Sequence, residues 1–197
     1  KPTDLSATNL LETEVELNWT ENGTATTWDI EWMEKGFPLG EGNLLTGITQ
    51  KPYPLTKLPP ETTYDFYVRS DCGETESPWV GPYTFSTTPT VRVLDAVTNE
   101  GDEGETTMTF EVILSSLYPS DISISYQTLA LSATDGEDYI GVNGTVIIPA
   151  GKATTSIPVQ VIGDLKPENN ENLSMSIRIL PVTNFVDGVP TPELGDG

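Results

Sequence analysis

Apolar and polar residues alternate with period two along most of this chain. In the first half, Val15-Glu16-Leu17-Asn18-Trp19, Trp28-Asp29-Ile30-Glu31-Trp32 and Tyr64-Asp65-Phe66-Tyr67-Val68 do so. In the second half, Ile122-Ser123-Ile124-Ser125-Tyr126, Ile157-Pro158-Val159-Gln160-Val161 and Met175-Ser176-Ile177-Arg178-Ile179 follow the same rule. Period two sends successive side chains to opposite faces, so each stretch predicts a strand half-buried in an antiparallel sheet. No stretch sustains a 3.6-residue period. Gly, Pro, Asn and Asp interrupt the strands at short intervals. The pattern predicts an all-β protein built from sandwiches.

The clearest boundary is Ser86-Thr87-Thr88-Pro89-Thr90, small and polar between two apolar strands. Cutting there gives domains 1–88 and 89–197, each suited to one sandwich of about 100 residues. The expected architecture is therefore two tandem immunoglobulin-like β-sandwiches.

Charge narrows the choice of partners. Nine basic residues against 30 acidic ones leave a net charge of −21. The first half has 14 acids and 5 bases, the second 16 acids and 4 bases, so the acidity belongs to both domains. Such a surface repels phosphate, which argues against nucleic acid and against anionic membrane faces. No apolar run approaches the length of a membrane span, and Lys1-Pro2-Thr3-Asp4 lacks the apolar core of a signal peptide. The chain reads as a piece of something longer. It contains no His, and Cys72 is its single Cys. The commonest general base, an internal disulfide and a multi-thiolate metal site are therefore all missing. An enzyme is not expected.

Several motifs in the first half carry a family likeness. Trp19 lies on an early strand. Leu58-Pro59-Pro60-Glu61-Thr62-Thr63-Tyr64 leads into a later strand with a corner Tyr, and Trp79 through Thr87 reads as the last strand. Together they resemble a fibronectin type III domain from about Pro2 to Thr88. The run Val68-Arg69-Ser70-Asp71-Cys72-Gly73, continuing through Ser77-Pro78-Trp79, resembles fibronectin modules of bacterial secreted proteins, those of the Bacteroidetes in particular. Cys72 is expected as a buried or inert thiol. Trp28, Ile30 and Trp32 share one face, which the family pattern turns toward the core rather than toward a sugar.

The second half resembles a Calx-β domain from about Thr90 to Val182. The likeness rests on Asn99-Glu100-Gly101-Asp102, Gly136-Glu137-Asp138-Tyr139, the hairpin Pro149-Ala150-Gly151 and the acid-rich Asp164 to Leu173. The resemblance implies Ca²⁺ at one end of the sandwich. Its ligands would be Glu100, Asp138, Asp164, Glu168 and Glu171, with the Lys166 carbonyl as a further oxygen. The chemistry is consistent: Ca²⁺ takes 6–8 oxygens, one loop rarely supplies so many, and sandwich loops gather at two ends. A solvated acidic rim is the competing reading of the same residues. After Val182 no alternating strand follows, so the last strand is expected to be absent or truncated.

The resulting expectation is a non-catalytic extracellular or cell-surface module of a larger protein. It binds calcium and acts as a rigid spacer or adhesion element, with other domains of its parent, a cell-surface protein or a glycan as partners. The alternative is a carbohydrate-binding accessory module of a polysaccharide-degrading enzyme. That reading needs exposed aromatics, for which Phe37, Tyr53, Trp79, Tyr118 and Tyr139 are the candidates.

Overall fold

The computed structural model describes residues 1–166 and 169–183. Thirteen strands and no helix occur among them. The chain divides into two compact units. One is built on Lys1–Pro89 and also takes in Pro181 and Val182; the other is Thr90–Leu180.

The first unit holds seven strands: β1 (Pro2–Thr8), β2 (Glu14–Glu21), β3 (Thr27–Glu34), β4 (Asn43–Ile48), β5 (Tyr53–Thr56), β6 (Thr63–Asp71) and β7 (Val80–Ser86). They form two antiparallel sheets, β1-β2-β5 and β4-β3-β6-β7. The alternation in β2 buries Val15, Leu17 and Trp19; that in β6 buries Tyr64, Phe66 and Val68. These two apolar faces meet Ile30 and Phe85 in the core. Trp19 packs edge-on against Trp28 at 5.5 Å, and Tyr64 stacks on Phe85 at 5.5 Å. Trp32 lies edge-on to Tyr64 at 5.6 Å. The Trp28–Ile30–Trp32 face is thus a core face. Leu10 and Val182 exchange two backbone hydrogen bonds of 3.0 Å.

The alternation in β3 predicts an exposed second face, yet Asp29 is 3% exposed and Glu31 is 5% exposed. Each buried carboxylate has its own donors. Asp29 accepts from Arg69 Nε at 2.9 Å and from the Gly47 N–H at 3.1 Å. Arg69 also pairs with Glu76 and lies 4.6 Å over the Trp79 ring. Glu31 accepts the backbone N–H groups of Gly40 and Gly42 at 2.6 and 3.0 Å. That capture folds the 35–42 loop over the sheet, and Met33 is buried beneath it.

The second unit holds six strands: β8 (Val91–Val93), β9 (Gly104–Leu114), β10 (Ile122–Ala130), β11 (Asn143–Ile148), β12 (Thr154–Gly163) and β13 (Leu173–Ile179). Its sheets are β12-β9-β8 and β11-β10-β13. Met108, Phe110, Val112, Ile157 and Val159 line the inner face of one. Ile122, Ile124, Ile148, Met175 and Ile179 line that of the other. All pairings are antiparallel. Residues 184–197, where a final strand was expected to be lacking, lie outside the described residues.

Candidate metal site

Strand direction decides which loops can meet. In the second unit Gly104, at the start of β9, pairs with Gly163, at the end of β12. Ala130, at the end of β10, pairs with Leu173, at the start of β13. The loops before β9, after β10, after β12 and before β13 therefore emerge at one end. Those loops carry Glu100, Asp138, Asp164 and Glu171.

Direct contacts tie the loops together. The Asp164 N–H donates to Glu100 Oε1 at 3.2 Å. Asp164 Oδ1 in turn accepts the Lys166 N–H at 2.6 Å, which turns the chain sharply after β12. The Asp138 carbonyl accepts the Ile162 N–H at 2.9 Å, two residues before Asp164. Asp138 Oδ2 accepts the Thr134 N–H at 2.6 Å, so one of its oxygens faces its own turn. The Asn172 carbonyl accepts the N–H groups of Ser132 and Ala133, and Ser132 Oγ accepts the Asn172 N–H at 2.8 Å. This clasp fixes the segment holding Glu171 beside the loop that leads to Asp138. Glu171 is exposed. Glu168 lies outside the described residues.

Two residues without carboxylates at this end matter as much as the acids. A Cβ on Gly163 would lie 3.0 Å from the Gly101 carbonyl oxygen and 3.1 Å from that of Glu100. Only a bare Cα lets the first loop approach β12 so closely. Tyr139, next to Asp138, is 2% exposed and pins the loop to the core. Burial, with the nearby Asp135 charge, pushes its phenol up, while a hydrogen bond with Thr128 works the other way. Asp135 Oδ1 accepts the Gly141 N–H at 2.7 Å and closes the loop. Composition singles out none of Ser132, Asp135 and Gly163 as builders of the site. The Gly-Asp dipeptide at the end of β12 is the one local cue.

The donor set is wholly oxygen, which suits a hard cation and not zinc. The Glu100 carboxylate meets the Asp164 main chain, and the carbonyls of Glu100 and Gly101 face Gly163. Among the described residues, no group of three or more His, Cys, Asp or Glu side chains is close enough to cage an ion.

The aromatic candidates for a glycan face do not form one. Tyr118 is 5% exposed and Tyr139 is buried, because both serve the core. Their loop positions conceal this in the sequence. Trp79 is covered by Arg69. Phe37 is exposed at a loop, and Tyr53 is half-buried on β5. Cys72, expected as buried or inert, is exposed in the turn after β6, where its N–H bonds the Thr75 carbonyl.

Comparison with known proteins matches the two halves separately. The Calx-beta domain family matches residues 87–192. The fibronectin type III domain family matches residues 1–86. Among solved structures, the two-domain fibronectin type III segment of chicken tenascin is 16% identical. It covers 93% of this chain and 92% of its own, with a TM-score of 0.38. The FN5 domain of Drosophila Lar is 24% identical and covers 44% of this chain and 94% of its own, with a TM-score of 0.37.

Proposed function

The chain belongs to the Calx-beta domain family, with a fibronectin type III domain ahead of it, and from that premise we propose a calcium-stiffened, non-catalytic spacer or adhesion module of a larger extracellular or cell-surface protein. Both families are typically non-catalytic and typical of extracellular proteins. The proposed ion sits at the end of the second unit where Glu100, Asp138 and Asp164 emerge. Glu168, Glu171 and the Lys166 carbonyl are the further donors.

The observation that carries this reading is the hydrogen bond from the Asp164 N–H to Glu100. It fastens the main chain of one acid to the side chain of the other and so brings two acid-bearing loops together, where a cation would draw oxygens from both. Bound Ca²⁺ neutralises the acidic end and joins loops from both sheets. The mechanical consequence is a stiffer end. Calorimetric titration with CaCl₂ tests the assignment. Saturable binding at about 10⁻⁴–10⁻³ M, the usual range for extracellular modules, is expected for the intact chain and not for a Glu100→Gln, Asp164→Asn double variant. Equal heats for both would remove the site.

A further inference from the structure

We draw no further inference here: the strongest candidate, the outer face of the sheet β11-β10-β13, whose three strands carry no acid and turn Ser125, Gln127, Thr145 and Arg178 away from the core, is an unpartnered sheet face, and nothing in the structure shows what covers it.

Discussion

Glu100 and Asp164 lie 64 residues apart in sequence and meet through a 3.2 Å hydrogen bond from the Asp164 backbone N–H to the Glu100 carboxylate. The bond uses the main chain of one acid and the side chain of the other. Removing Glu100 therefore unfastens the loop as well as deleting a charge. Glu100→Gln keeps an acceptor, and in EDTA it is expected to be about as stable as the parent. Glu100→Ala is expected to lose about 1 kcal/mol in EDTA. Chemical denaturation of the two variants without calcium separates fastening from ligation.

Gly163 controls how closely the first loop approaches β12. A side chain there meets backbone carbonyls at 3.0 and 3.1 Å, and backbone cannot yield as a flexible side chain can. Gly163→Val is expected to cost about 1–3 kcal/mol and to weaken the response to calcium. A variant as stable and as calcium-responsive as the parent would show that the loop has another resting place.

In the first unit, Glu21 is held by three hydrogen bonds. Burial works against its charge. The hydrogen bonds from Trp28 Nε1 at 2.8 Å, Ser70 Oγ at 2.7 Å and the Gly23 N–H at 2.7 Å outweigh that, and the carboxyl is lowered from 4.5 to about 2. A lowered folded pKa stabilises the native state above pH 4.5. That contribution drains away as the pH falls from there toward about 2. Across this window the parent is expected to lose about 1–3 kcal/mol more than Glu21→Gln, which has nothing to titrate at this position. Parallel acid titrations of the two, followed by tryptophan fluorescence, make the comparison.

Arg69 is the cation that makes the burial of Asp29 tolerable, at 2.8 Å in the closer of its two contacts. Arg69→Ala strands that carboxylate and is expected to cost about 3 kcal/mol. Glu76, on the exposed side of the same guanidinium, should cost under about 1 kcal/mol on mutation to Ala. Equal losses in urea melts would mean that the network is not organised around Asp29.

Much of this was legible in the sequence, and the limits have physical causes. Period-two alternation located β2, β3, β6, β10, β12 and β13, because one buried face is enough to write that pattern. It misjudged the second face of β3. A buried Asp or Glu looks like a solvated one until Arg69, or the backbone donors of Gly40 and Gly42, are placed beside it. It also read Tyr118 and Tyr139 as loop aromatics open to a ligand, since a core plug reached from a loop leaves no periodic trace. At the candidate site the acids were visible as residue types. The clasp between Ser132 and Asn172 and the need for Gly163 were not, because both arise from the approach of segments distant in the chain.

Thermal melting in EDTA, then in millimolar Ca²⁺, with Mg²⁺ as the control, tests the central claim most directly. If the second unit is a calcium-stiffened module, Ca²⁺ raises one of two transitions. The gain is about 2.7 kcal/mol at one hundred times the dissociation constant, Mg²⁺ does little, and the Asp164→Ala variant loses the effect. Superimposable curves in EDTA, Ca²⁺ and Mg²⁺ would contradict the account and leave Glu100, Asp138 and Asp164 as a solvated acidic rim.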